Sequence, residues 1–424
     1  MQFWRWAGTP HLGTGSPSEV KTIEPRARGA WFLVMLGTLM MLPPLSIDIS
    51  LPGLPLIAHA LGATPALLQW TLSAFVLAFG VGQLVLGPLS DRVGRRPVLL
   101  WGLGLFTLAG IGCTFATDAR VLVALRFLQG AGACAGTVCA RAIAQDLSSD
   151  RAGATFRQTV LAAVNSFAPV IAPLIGAAIL VTMGWRHLYS VLAIVGLALF
   201  AMVATLLPET SPRIASDVMV AYRRVVQLPR TLGLTLLVGS AFFGLFSLIT
   251  GSPFVLIEQL HVSSTQFAFA FAINATAFVV AAALSGRLVR IVDPEILLAT
   301  GAGLTLAAGI FSWAADTYLP SIGAFVATWT LYAFGVAFAL PGSFATVLSA
   351  ARHDAGLAAG LLGAAQMLSG AAGSALSGAL PGQPTTTLGL LAVIGGIGAA
   401  AGYLLSKPAL SQQRQLSEAR TDDP

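Results

Sequence analysis

The sequence predicts an all-α polytopic membrane protein: twelve transmembrane helices in two bundles of six, with both termini cytoplasmic. Three observations predict it. Of the 424 residues, 56% are apolar and 9% are charged, whereas soluble domains carry about 25% charged residues. Twelve apolar stretches each approach the roughly 20 residues that a helix needs to cross a bilayer. The basic residues between those stretches fall almost entirely on one side. The shortage of charge excludes a soluble enzyme, a nucleic-acid binder and a disordered chain.

The apolar stretches are 30–48, 66–86, 98–116, 121–144, 156–181, 187–207, 231–256, 265–284, 296–315, 320–348, 357–380 and 387–405. The fourth, tenth and eleventh are long enough to require tilt or an extension beyond the hydrocarbon. The chain holds 45 Gly and 23 Pro, which membrane helices tolerate and which let them pack closely. Residues 1–29 are polar, rich in Pro, Gly and Ser, and lack an apolar h-region, so they read as a disordered cytoplasmic tail and not as a signal peptide. Residues 406–424 read in the same way. The longest internal polar stretch, 208–230, reads as a central cytoplasmic loop between a first bundle at 30–207 and a second at 231–405.

Orientation follows from the cations. With the N-terminus inside, 20 of the 23 Lys and Arg residues fall on the inner side and only Arg120 and Arg186 on the outer. The remaining one, Arg126, is left inside a span, while Arg141 and Arg157 stand at the inner ends of theirs. Cys113, Cys134 and Cys139 all sit in apolar stretches without a zinc or disulfide framework, as small buried residues do. The loop after the second span of each half is short and basic, Gly87–Pro97 in one half and Ser285–Pro294 in the other. This degenerate match supports an internal repeat.

Particular residues then resemble a known family. Gly87-Pro88-Leu89-Ser90-Asp91-Arg92-Val93-Gly94-Arg95-Arg96 meets the pattern G-x-x-x-D-R-x-G-R-R in full and resembles motif A of the major facilitator superfamily. Asp48, Pro52 and Pro55 resemble the D-x-x-x-P-x-x-P signature that closes span one of twelve-span drug:proton antiporters. Arg126-Phe127-Leu128-Gln129-Gly130 resembles motif B, and Ala168-Pro169 through Pro173 and Gly176 resembles motif C, the antiporter motif of span five. Gly184-Trp185-Arg186 and Leu207-Pro208-Glu209-Thr210 recur in the Bcr/CflA subfamily of bicyclomycin and chloramphenicol exporters. The resemblance covers residues 30–405, strongly in the first half and mainly by hydropathy in the second. It implies the major facilitator fold, a proton-driven drug exporter in a bacterial inner (plasma) membrane, and a monomer.

Each motif also has a physical reading. Gly87 and Gly94 suit a tight turn, with positive φ. Asp91 suits the positive N-terminus of a neighbouring span, which the resemblance makes span eleven, from near Leu357. Arg95 suits a pair with Asp146 below span four; such pairs hold the two halves shut at a cytoplasmic gate. Arg92 and Arg96 first of all enforce topology. Arg126 lies about six residues into span four, roughly 9 Å along the helix. A central Arg costs about 2.5–3.5 kcal/mol on insertion scales, so it faces a cavity or a partner, and Gln129 shares its helix face. Asp48 stands just past Pro43-Pro44, which kink span one. A dry site raises a carboxyl pKa and a nearby Arg lowers it, so Asp48 and Arg126 together have the makings of a proton switch. Pro169, Pro173 and Gly176 bend span five and admit another helix closely.

The second half shows no charge deep in a span. Its mid-membrane polar residues are Asn274, Ser343 and Gln366, and Phe242, Phe243, Phe246, Phe267, Phe269, Phe271, Tyr332, Phe334 and Phe338 supply an aromatic wall. A substrate cavity of Gln129, Asn274, Tyr332, Phe334 and Gln366 suits lipophilic neutral or weakly basic molecules better than sugars. The alternative substrate is a native metabolite, such as an amino acid or nucleoside, with drug export incidental. The five His fall in tails, loops or span ends, and there is no G-x-x-x-x-G-K-[ST]. An enzyme, an ATP-driven pump, a metal and a cofactor other than the coupling proton are therefore not expected. The expected partners are a small molecule, protons and lipid, and no nucleic acid.

Overall fold

A computed structural model describes residues 30–147, 151–210, 218–228, 230–318, 321–351, 354–380 and 384–421. The predicted N-terminal tail, 1–29, lies outside them. Among the described residues every regular element is helical. Twelve helices are long and apolar enough to cross a membrane. Spans 1 to 6 are Trp31–Ala60, Pro65–Val93, Arg95–Thr114, Ala119–Asp146, Phe156–Thr182 and Arg186–Leu206. Spans 7 to 12 are Thr231–Gln259, Ser264–Leu288, Pro294–Ala315, Ile322–Ala350, Ala355–Ala379 and Thr385–Lys407.

Local chemistry sets the ends of these helices. At the end of the molecule remote from the 87–97 segment, four spans begin on a side-chain cap. The Thr64 hydroxyl accepts from Leu67 N at 3.3 Å, Asp118 from Arg120 N at 2.7 Å, and Ser321 from Ala324 N at 3.2 Å. Ser263 and Gln266 form a reciprocal capping box. Span 1 is helical to Asp48, breaks into a 3₁₀ turn at Leu51–Gly53 and resumes at Leu54–Ala60. The break follows from Pro52 and Pro55, whose missing N–H groups leave the carbonyls of Asp48 and Leu51 without the helical donor four residues on. Span 7 ends in a π-helical turn, Phe254–Gln259, just after Pro253.

Spans 1–6 pack together, spans 7–12 pack together, and two seams join the bundles. Span 2 lies along span 11, where small residues set the spacing. A Cβ on Gly80 would meet Met367 and Leu368, one on Gly363 would meet Gln83, and one on Gly378 would meet Gln69 and Ala66. Span 5 meets span 8 at the end remote from the 87–97 segment, where Leu174, Ala177, Ala178, Val181, Thr265 and Phe269 line an apolar hollow of about 380 Å³. All three cysteines are buried and unbonded to one another.

Three elements depart from the sequence reading. Span 2 stays helical to Val93, through most of the segment expected to be a loop, with Ser90 and Asp91 at its end held by Arg95 of span 3. Part of the expected central loop is a helix, Val218–Gln227, since Tyr222 and Val225 fall on one face and Arg223 and Arg224 on the other. Val225 is buried, the Tyr222 hydroxyl donates to Leu84 O at 3.3 Å, and Arg224 pairs with Asp354 at 3.6 Å. The helix of span 12 continues to Thr421, where a disordered tail is expected. The run Gln412–Arg420 is rich in strong helix formers and holds no Gly or Pro.

Candidate functional site

Two polar centres lie in the first bundle. The first is the motif A segment. Gly94 ends span 2 with φ +119°, a value that favours glycine, and a Cβ there would run into the Glu209 carboxylate. Gly87 is instead an ordinary helical residue, so the turn expected at that position does not occur. Arg95, 8% exposed, pairs with Asp91 one helical turn before it and with Asp146 through Nε at 3.2 Å. Its Nη1 also donates to Ser90 Oγ at 2.6 Å. The pair with Asp146 forms as expected from the sequence. It ties span 3 to span 4 within one bundle, however, so it braces the first half internally and does not itself bridge the two halves. Arg96 also has a packing role, as Nη2 donates to Ala204 O on span 6 at 2.7 Å. Arg92 lies exposed in the last turn of span 2.

Glu209 completes this centre and is the residue that sequence reasoning missed. Its two carboxylate oxygens accept from the backbone N–H of Arg95 at 2.8 Å and of Arg96 at 3.3 Å. An acid from beyond span 6 thereby caps the positive N-terminus of span 3. The available signal was an isolated acid in Leu207-Pro208-Glu209-Thr210, but nothing in one dimension says which helix end it reaches.

The second centre is Arg126. It is fully buried, which rules out a side chain snorkelling to the interface. Nη1 donates to Gln129 Oε1 at 2.6 Å and Nη2 to the carbonyl of Ser46 at 2.9 Å, next to the break in span 1. The guanidinium lies 4.5 Å from the centroid of the Phe75 ring and 5.8 Å from that of Tyr189. Charge-assisted hydrogen bonds and aromatic faces replace part of its lost hydration. The span packs closely here, since a Cβ on Gly130 would overlap the backbone of Phe75, and one on Gly132 the carbonyl of Gly102. Arg126 Nε, Gln129 Nε2, Thr107 Oγ1 and Tyr189 Oη are buried without a hydrogen-bond partner.

Asp48 lies two residues beyond the Ser46 carbonyl and is 5% exposed. It ends the face of span 1 formed by Val34, Thr38, Met41 and Leu45, which is exposed or half-buried while its neighbours are covered. Among the described residues no cation pairs with its carboxylate within 4 Å. Asp48 and Arg126 are thus brought to the same helix break without forming an ion pair.

The motif C residues pack span 5 on span 1. A Cβ on Gly176 would strike the Ile49 carbonyl, and Ala168 and Ala172 are fully buried. Pro169 and Pro173 lie within this helix, and Pro173 directly precedes Leu174, which lines the apolar hollow.

The five expected cavity residues do not gather. Gln129 points into the first bundle, its Nε2 beside Gly110 of span 3. Tyr332 is fully buried inside the second bundle, with its hydroxyl in the slot left by Gly244 and Gly395. Hydropathy gives no helix face, and that slot exists only because spans 7 and 12 carry glycine there. Phe334 lines a second apolar hollow of about 470 Å³ with Phe269, Ile273, Thr276 and Val280 of span 8. Asn274 is buried on a different face of span 8 with Nδ2 unpartnered, and Gln366 is 9% exposed on span 11. The aromatic wall divides accordingly, with Phe267 and Phe271 packed inside the bundle, Phe271 against Trp329, and Phe269 largely exposed.

The chain is similar to known proteins. A relative from Bacillus subtilis, the MFS-type transporter YdgK, is 32% identical over 89% of this chain and 96% of its own length. The chloramphenicol resistance protein of Pseudomonas aeruginosa is 31% identical over 73% of this chain and 76% of its own. The bicyclomycin resistance protein homolog of Haemophilus influenzae is 31% identical over 80% and 87%. Among solved structures, a bacterial homolog of the human lysosomal transporter Spinster superposes with a TM-score of 0.74 over 92% of this chain and 98% of its own, at 17% identity. The family model of the Major Facilitator Superfamily matches residues 34–374 and 234–422, and the chain belongs to that superfamily as a multi-pass membrane transporter.

Proposed function

We propose that this chain is a proton-coupled multidrug exporter that works by alternating access, as a monomer in the bacterial inner membrane with both termini cytoplasmic. Relatives named for chloramphenicol and bicyclomycin resistance support the substrate class, and the distribution of basic residues supports the orientation. The single observation that carries the coupling is Asp48: a buried carboxyl at a helix break whose adjacent carbonyl, Ser46 O, is held by the buried Arg126.

In this reading Asp48 is protonated while it sits without a counter-charge, because an isolated carboxylate is costly in a dry site. Loss of the proton creates a charge that Arg126 is positioned to neutralise once span 1 shifts against span 4. That shift favours one global state over the other, and a pH gradient drives it. Lipophilic neutral or weakly basic molecules, such as phenicols or bicyclomycin, suit a path whose second half offers aromatic and uncharged side chains.

The test uses everted membrane vesicles energised to an acidic interior. Adding phenicols, bicyclomycin and lipophilic cations in turn is expected to release protons from wild-type vesicles but not from Asp48→Asn vesicles. Release that survives in the mutant moves the proton site elsewhere. No response from the wild type to any compound overturns the drug-export reading.

A further inference from the structure

At the end remote from the 87–97 segment, the two bundles are joined by a buried set of uncharged side chains. Ser73 of span 2 donates to Ser374 Oγ of span 11 at 2.7 Å. Thr250 of span 7 donates to the same oxygen at 2.9 Å. Ser377 of span 11 donates to Gln69 Oε1 of span 2 at 2.6 Å. None of the five is more than 7% exposed. Span 2 belongs to the first bundle and spans 7 and 11 to the second, so two of the three bonds cross between halves. Glycines make the approach tight enough, since a Cβ on Gly373 would strike the Phe243 carbonyl of span 7 and one on Gly378 would meet Gln69.

The other polar contacts between the halves at this end are weaker. Ser264 donates to Pro52 O at 3.2 Å. His59 stands 3.5 Å from Glu258, but the His59 side chain is 77% exposed, and exposed pairs contribute little. The hydroxyl cluster differs because it is dry. Ser73 and Ser377 each also lie within reach of a carbonyl of their own helix, Gln69 O at 3.1 Å and Ser374 O at 2.7 Å. Parting the halves in an apolar surround therefore leaves the acceptors Gln69 Oε1 and Ser374 Oγ short of a donor, whereas parting them with water entering gives these a new partner. The cluster therefore opens with the water-filled path or not at all. None of its members titrates in the physiological range, so neither the proton nor salt acts on it directly.

We propose that Gln69, Ser73, Ser374 and Ser377 form a neutral hydrogen-bond latch, with Thr250 holding Ser374 from within its own bundle, that closes the outer end of the transport path. The latch sets the resting balance between the two access states, and the proton site at Asp48 works against a fixed, pH-independent resistance. This rests on the alternating-access reading.

The test places nitroxide labels on Ala60→Cys and Ile322→Cys, one exposed position in each half at that end, in the full chain in lipid nanodiscs. The native cysteines are buried. Distances are read by pulsed electron paramagnetic resonance without substrate. Ser374→Ala and Ser377→Ala, each of which removes one bond between the halves, are each expected to raise the population with a widely separated outer end. The rise per bond lost is roughly two- to ten-fold. Ser343→Ala, a buried hydroxyl bonded within its own helix to Ala339 O, is the control and leaves the distribution unchanged. An unchanged distribution in the Ser374→Ala, Ser377→Ala double variant, which removes both bonds between the halves, overturns the latch, as does an equal shift in Ser343→Ala. Because no substrate is present, this failure is distinct from failure of the export reading, which the vesicle assay decides.

Discussion

The two bundles use one plan with different chemistry at its centre. Each places its bulkiest fully buried polar side chains on its fourth span, Arg126 on span 4 and Trp329 and Tyr332 on span 10. In the first bundle this side chain is a cation. It binds Gln129 and the Ser46 carbonyl and lies over Phe75, with a buried carboxyl two residues from its carbonyl partner. In the second bundle the side chains are neutral. Trp329 packs edge-on to Phe271, with ring centroids 5.5 Å apart, and its Nε1 and the Tyr332 hydroxyl have no hydrogen-bond partner. The difference teaches where a driving force can enter. A membrane-buried charge responds strongly to a proton, while a buried phenol or indole does not. In the proposed reading, proton coupling then belongs to the first half, and the second half contributes shape, aromatic surface and seams.

The largest effect follows from replacing the charge itself. Arg126→Met is expected to reduce pH-driven transport to background while the protein still folds. The exchange removes a costly buried charge but leaves Gln129 Oε1 and the Ser46 carbonyl without that donor, so a loss of stability of about 1–3 kcal/mol is expected. Thermal unfolding in detergent, run beside the vesicle assay, checks both parts. Transport that persists in Arg126→Met would break the contrast between the bundles, because the charge would then be structural.

Asp48→Asn comes next and is more selective. It keeps the side-chain size and mimics the protonated state. Exchange of labelled for unlabelled substrate across the membrane, with no pH gradient, is expected to continue near the wild-type rate, whereas uphill transport is lost. Loss of both activities would mean that Asp48 organises the substrate path and does not serve coupling alone.

These contrasts were unevenly legible in the sequence. The spans were legible because crossing a bilayer demands length and apolarity, and both are local properties. Arg126 stood out because a charge in such a stretch is rare, and Asp48 because it is an acid closing a span; the break beside it comes from Pro52 and Pro55, while the helix runs unbroken through Pro43 and Pro44. The face each side chain takes was not legible. Tyr332 reads as a cavity residue until Gly244 and Gly395 are seen to hold its hydroxyl. The helical path of span 2 through Gly87 and Asp91 was hidden by polarity that looks like a loop. Glu209 and the Ser73–Ser374 contact are separated from their partners by more than 100 residues, and only packing brings them together.

Glu209→Gln probes the other polar centre of the first bundle, where charge serves structure. It retains one acceptor for the N–H groups of Arg95 and Arg96 but removes the charge at the start of span 3. The expected cost is about 0.5–1 kcal/mol, within the range for helix-end charges and caps. It should appear as a slightly lower melting temperature with the pH dependence of transport unchanged. A shifted pH profile would place Glu209 within the coupling machinery and make the first bundle's two centres one system.

Tyr332→Phe is expected to have the smallest effect and is the sharpest check on the second bundle. The hydroxyl is buried between Gly244 and Gly395 and makes no hydrogen bond in the folded protein. Removing it breaks no bond and spares the cost of burying an unpaired polar group, which mutational data put at about 1–3 kcal/mol. Against that stands a small void where the oxygen was, worth about 1 kcal/mol at most. Stability should therefore be unchanged or raised, and transport should keep its rate and pH profile. Destabilisation by several kcal/mol would require a partner that the hydroxyl gains only in another access state. The second bundle would then hold a polar switch of its own, and the division of labour between the halves would fail.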